Sequence, residues 1–171
     1  IYERQELQKK ENENYAGVDI GLNNLATIVT NNGATPVIIN GKPLKSINQY
    51  YNKKKAEMQS KLPHYISKDG KKIQRTNSKA IRKLTVKRNN KIKDYLHKAS
   101  RKVVNHLQQN DISLVVVGQN KEWKQSINLR KATNQNFVAI PHSRFIDMCQ
   151  YKNELLGIEQ RTREESYTSK C

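Results

Sequence analysis

The apolar positions change their period several times along the chain, and each change marks an element. Residues 15–22, YAGVDIGL, form a short apolar run interrupted by an acid and glycines. Residues 24–31, NLATIVTN, are rich in β-formers, and Asn31-Asn32-Gly33 is a turn signal. Pro36 to Ile39 supplies a third short run, closed by Asn40-Gly41. Three such runs with tight connections predict an antiparallel meander. The spacing then becomes helical: Leu44, Ile47, Tyr51, Met58 and Leu62 recur at intervals of three, four and seven until Pro63 ends the pattern. Residues 64–75, HYISKDGKKIQR, read as a basic loop turning at Gly70. Thr76 to Leu107 is the clearest helix, with one stripe through Ile81, Leu84, Arg88, Ile92, Tyr95, Leu96, Ala99, Val103 and Leu107. A helix of that length spans about 45 Å, more than a small core covers, so its outer half is expected to expose its Lys and Arg. Asn110-Asp111 breaks it.

ISLVVVG, residues 112–118, is the continuous apolar run of a buried central strand. Residues 119–136 read as a polar loop. A helix follows from His142 to Leu156, with Phe145, Ile146, Met148, Cys149, Leu155 and Leu156 as its core side and Gly157 as its cap. GIEQRTR, residues 157–163, gives a last short strand. The order is therefore three antiparallel strands, helices, strand, helix, strand. That is the layout of an RNase H-like α/β fold: a mixed sheet in which β-α-β-α-β elements follow an antiparallel meander. The first and fourth of these strands are expected side by side at the sheet centre. A basic helical insertion, residues 42–109, separates the third from the fourth. Residues 1–14 are polar and expected to fray, leaving 15–171 as the domain.

Apolar residues make up 35% of the 171, enough for one modest core. No run of 18 apolar residues exists, and the N-terminal IYERQELQKK has no apolar segment of a signal peptide. The two cysteines, Cys149 and Cys171, exclude a disulfide scaffold and fit a reducing, cytoplasmic setting. A first residue other than Met and a lone terminal Cys suggest a fragment.

Charge alters the picture more. There are 32 Lys and Arg against 15 Asp and Glu, a formal net of +17. From Lys42 to Lys102, 20 basic residues face only Glu57, Asp69 and Asp94, so this block holds the whole excess. A field so clustered attracts a polyanion, and nucleic acid is the partner it favours. A membrane surface fits poorly, because the apolar faces here are Leu, Ile and Val stripes without Trp or Phe anchors.

The acids offer one candidate chemistry. Asp19 sits in Gly-Val-Asp-Ile-Gly-Leu, near the end of the first strand. An acid among apolar neighbours needs compensation, either by hydrogen bonds to a turn or a lysine, or by a hard cation such as Mg²⁺. Two such ions about 4 Å apart can clamp the attacking and leaving oxygens of a phosphodiester, which takes three or four converging carboxylates. The central strand ends in Gly118-Gln119-Asn120, without an acid. Glu164 and Glu165 end the last strand and could reach the same place, or could pair with Arg161 and Arg163. No Gly-rich phosphate loop, serine elbow or histidine cluster is present.

GVDIGLNNLAT, NGKPLKSINQYYNKKKAEMQSKL, LVVVGQNKEWKQ, NQNFVAIPHSRFIDMCQYKNELLGI and EESYTSKC, in that order, resemble the TnpB (OrfB) proteins of bacterial insertion sequences. The resemblance implies a RuvC-like nuclease domain in an RNA-guided DNA endonuclease related to type V CRISPR nucleases. Its partners would be DNA and guide RNA, and its reaction metal-dependent phosphodiester hydrolysis. It assigns Asp19 as a Mg²⁺ ligand. Where most members end the central strand in an acid, Gly118 stands here; a subset takes the second acid from just before Tyr-Thr-Ser, which is Glu165, with Glu164 as the alternative. The third acid follows a zinc ribbon, of which Cys171 matches only the first cysteine. Zn²⁺ would enter only with the rest of that ribbon. By itself the chain is expected to be a crippled nuclease at best, with an inactive nucleic-acid-binding remnant as the other reading. The basic helices would hold a guide–target heteroduplex by its backbone. Lys53, Lys54, Lys55, Lys71, Lys72, Arg75, Arg82, Lys83, Lys87, Arg88 and Lys91 are the expected phosphate contacts. Trp123 would either stack on a base or cover the core.

Overall fold

The computed structural model describes residues 10–119 and 140–164. Strands β1 (Tyr15–Asp19), β2 (Asn24–Thr30) and β3 (Val37–Asn40) run antiparallel in succession, as their tight connections predict. Helix α1 (Lys42–Ser60), strands β4 (His64–Ile66) and β5 (Lys72–Gln74) and helix α2 (Lys79–Gln109) follow. Strand β6 (Leu114–Gln119), helix α3 (His142–Glu154) and strand β7 (Glu159–Glu164) complete the order. The main sheet has five strands in the order β3-β2-β1-β6-β7. β1 lies parallel to β6, with Val18 opposite Val117, and β6 parallel to β7, with Val117 opposite Thr162. The expected neighbours, β1 and the apolar 112–118 run, do meet at the sheet centre.

Two compact units divide the chain: residues 1–42 with 96–171, and Pro43–Tyr95. In the first, the strand period of two decides which side is covered. Ala16 and Val18 of β1 are buried, while Tyr15, Gly17 and Asp19 are exposed. Val18, Val115 and Val117 surround one small void together with Val103 of α2 and Phe145, Ile146 and Cys149 of α3. Both helices therefore pack on the same sheet face, and each fully buried side chain of this size contributes about 1.5–3 kcal/mol. Lys152 is buried here too, because its Nζ donates to the His97 carbonyl at 2.9 Å and to Ser100 Oγ.

Helix ends follow local chemistry. Ser78 Oγ accepts the Ile81 N–H at 3.2 Å and caps α2. At the other end the Asp111 N–H reaches the Gln108 carbonyl and the Ile112 N–H the Leu107 carbonyl. That pairing requires a left-handed residue, and Asp111 supplies it at φ +50°. Gly157, φ +70°, closes α3 in the same way.

Three expectations change. Residues 64–66 and 72–74 are not loop but a two-stranded hairpin, with Tyr65 opposite Ile73. Each strand has three residues, too few to show a period. Leu155 is 61% exposed, because α3 stops at Glu154 and the closing turn carries it outward. Residues 10–14 do not fray: the Lys10 N–H donates to the Gly157 carbonyl at 3.2 Å, and Asp111 accepts from Lys10 Nζ at 2.7 Å and from Asn12 Nδ2 at 3.0 Å.

Candidate nucleic-acid interface

The unit Pro43–Tyr95 carries 16 Lys and Arg and only three acids, an excess of 13 positive charges. Twelve of the 16 are exposed. Lys53 lies on α1, Lys71, Lys72 and Arg75 on or beside the β4–β5 hairpin, and Arg82, Lys83, Lys87 and Lys91 on α2. All eight are exposed. Lys83, Lys87 and Lys91 sit four residues apart, on one helix face, where like charges repel.

Three of the expected contacts are engaged within the unit. Lys54 Nζ donates to Glu57 at 2.9 Å, and Lys61 reaches the same carboxylate at 3.1 Å. These two hydrogen bonds, that from Lys54 foremost, hold the Glu57 carboxyl down to about 2. Arg88 joins the helices: its Nε donates to the buried Asn48 Oδ1 of α1 at 2.8 Å, and its guanidinium lies 5.6 Å from the Tyr51 ring centre. Burial lowers the Arg88 pKa from its ordinary value, with Tyr51 partly offsetting it. Lys55 sits 5.9 Å from the same ring. The Thr85 hydroxyl donates to the Ile81 carbonyl, so its oxygen is free to accept from the Tyr51 hydroxyl at 3.0 Å.

The sheet unit places Asp19 at the last position of β1, opposite Thr27 of β2. Strand alternation puts it on the exposed face, so burial costs it nothing, and no described residue donates to its carboxylate. The turn after it is held closely. The His142 Nε2–H at the start of α3 donates to the Gly21 carbonyl at 3.2 Å, and the Gly41 N–H donates to the Asn23 carbonyl at 2.7 Å. A Cβ at Gly41 would come within 2.5 Å of the Leu22 carbonyl oxygen, so only glycine lets the two loops touch. Neither Gly41 nor His142 is marked by the sequence; Asn40-Gly41 reads only as a turn.

Register places Glu164 at the end of β7. Gly118 pairs with Arg163 and Gln119 with Glu164, while Val18 pairs with Val117. Asp19 thus shares its level and face with Gly118 and Arg163. Glu164, one residue on, belongs with Gln160, whose amide contacts Asn153 and the Ile146 carbonyl on the α3 side. Glu165, Trp123 and Cys171 lie outside the described residues. Among the described residues no three His, Cys, Asp or Glu side chains gather as a metal site. The described donors around Asp19 therefore do not complete a divalent-cation site.

The family model for OrfB_IS605, a probable transposase, matches residues 1–124. The chain belongs to that family. Among curated proteins nothing matches this OrfB chain. Its fold resembles that in the cryo-EM structure of a Cas12f1–sgRNA–target DNA complex, with a TM-score of 0.66 and 17% identity over 91% of this chain and 37% of that one. It also resembles a CRISPR–Cas12f ternary complex, with a TM-score of 0.70 and 19% identity over 98% of this chain and 32% of the other. The OrfB chain thus spans about a third of the length of these relatives. No helix among its described residues is long and apolar enough to cross a membrane.

Proposed function

We propose that this OrfB chain is the nucleic-acid-binding part of a RuvC-like, RNA-guided DNA endonuclease, holding guide RNA paired with target DNA on its basic helices. The observation that carries the reading is the excess of 13 positive charges on Pro43–Tyr95, with twelve of its 16 cations exposed. Such a surface suits a phosphate backbone and reads no bases. The meander followed by parallel strands supports an RNase H-like domain, and the likeness to Cas12f supports the guided setting. Asp19 and Glu165 are the carboxylates we assign to Mg²⁺ in the longer protein, with Glu164 as the alternative. Bound there, the ion would supply Lewis-acid activation of the phosphodiester. The activity we assign to the chain by itself is binding.

The test is fluorescence anisotropy with a 20-base-pair RNA–DNA heteroduplex across a KCl series. With about five or more phosphates neutralised, log K should fall with log salt at a slope of about −4 or steeper. Lys53→Ser, Lys83→Ser and Lys91→Ser should each flatten it by about one. No binding, or an affinity indifferent to salt, sinks the proposal. In the longer protein, Asp19→Ala should abolish cleavage and leave binding intact; unchanged cleavage would remove the nuclease role.

A further inference from the structure

Wholly within Pro43–Tyr95, α1 and α2 enclose a groove of about 310 Å³. Its floor is apolar, with Ile47 and Leu84, and Lys87 and Lys91 rim it one turn apart on α2. Tyr50 forms a wall and is 60% exposed. We propose that this groove binds an unpaired nucleotide of single-stranded nucleic acid, with the base stacked on Tyr50 and its phosphate at Lys87 and Lys91. The inference deepens the binding reading above and rests on it.

The chemistry separates this occupant from a duplex. A duplex keeps its bases stacked inward and offers a protein little but phosphate, for which lysines on an open surface suffice. An apolar floor and an aromatic wall beside those lysines add nothing to that contact. They match the two faces of an unstacked base, which binds aromatic side chains whatever its sequence. A volume of 310 Å³ lies at the small end of ligand sites. Charge sets the class of ligand, because a neutral or cationic aromatic would meet Lys87 and Lys91 unpaired.

The neighbouring aromatic cannot take this part. Tyr51 has Lys55 and Arg88 against its ring and its hydroxyl tied to Thr85. Tyr50, the next residue, leaves its ring open to solvent, which a folded chain tolerates but does not need.

The experiment uses the 171-residue chain with fluorescein-labelled 12-mers: oligo(dT), oligo(rU) and a blunt duplex of equal length. Tyr50→Ala should weaken both single strands about tenfold and shift the duplex less than twofold. Tyr50→Phe, which keeps the stacking face, should stay within twofold of the parent throughout. Equal losses on single strand and duplex, or no loss on either, overturn the groove while leaving the binding reading in place. A parent chain that binds none of the three probes overturns both. Circular dichroism checks that the variants keep their helices. Photocrosslinking of the unsubstituted chain to a 5-iodouracil single strand then gives an answer that needs no variant. The adduct should fall on the peptide containing Tyr50, and adducts confined to other peptides overturn the assignment.

Discussion

Lys87 and Arg88 are adjacent on α2, yet their surroundings give them different roles. Lys87 is exposed, whereas Arg88 is half-buried and bonded to Asn48, which is 1% exposed. Removing Arg88 withdraws a charged donor from a buried amide and a cation from the Tyr51 ring. We therefore expect Arg88→Ala to cost about 1–3 kcal/mol in urea unfolding. Lys87→Ala, which relieves two like-charge pairs on α2, should cost nothing or stabilise by up to about 1 kcal/mol. Equal costs would contradict the packing role of Arg88. The sequence already carried both faces of this residue, since Arg88 falls in the apolar stripe of α2 as well as in the basic block. What it did not carry was Asn48, an amide that no hydrophobic pattern marks. Cys149 offers a second measurement. Burial pushes its thiol from an ordinary 9.0 up to about 12, with Lys152 pulling slightly the other way. The folded state thus favours the neutral thiol. That contribution to stability is complete below about pH 9 and fades as pH rises from there towards 12, because only the unfolded chain ionises freely. In a Cys171→Ser background, Ellman's reagent at pH 8 should find no thiol until urea unfolds the chain. Rapid labelling of the folded protein would show that Cys149 is accessible.

At the scale of elements, Lys83, Lys87 and Lys91 place two like-charge pairs at i,i+4 on α2. Each pair costs the helix roughly 0.2–0.5 kcal/mol. Lys87→Glu turns both repulsions into attractions, so we expect it to stabilise the protein by about 1 kcal/mol in thermal unfolding at low salt. The same change should weaken nucleic-acid binding, since it replaces a phosphate contact with a carboxylate. A variant that gains stability without losing affinity would show that this helix face does not meet the ligand. Elements of this kind were legible in advance because their period runs for many residues. α2 shows a nine-residue stripe, and β1 and β6 sit where their apolar runs predict. Short or exceptional pieces were not legible. The β4–β5 hairpin has strands of three residues, all exposed, so no face repeats. Lys152 is buried against every compositional expectation, because carbonyl and hydroxyl acceptors on α2 meet its ammonium. At the end of β1 the sequence singled out Asp19 but missed what holds its turn. Gly41 and His142 come from an unrelated strand end and a helix start, and only the folded chain brings them to residues 21–23.

Across the whole molecule, +17 charges on 171 residues must raise the free energy of any compact state, most of all within Pro43–Tyr95. The Glu57 carboxylate offsets part of it, on Lys54 and Lys61. Two consequences follow with opposite signs. Added salt screens the repulsion, since the Debye length falls from about 30 Å at 0.01 M to about 10 Å at 0.1 M. The melting temperature of the free protein should therefore rise with KCl over that range. The same ions compete with the protein for phosphates, so affinity for nucleic acid should fall across it. A neutral osmolyte at matched osmolality separates the two effects, because it stabilises the fold without displacing counterions. If the melting temperature stays flat in KCl while affinity falls, the basic unit tolerates its own charge, and its lysines stand too far apart to repel. If both rise together, binding is not electrostatic, and the excess charge serves something other than a polyanion. The expected pattern, stability up and affinity down, is that of a surface whose charges are balanced only when the nucleic acid is in place.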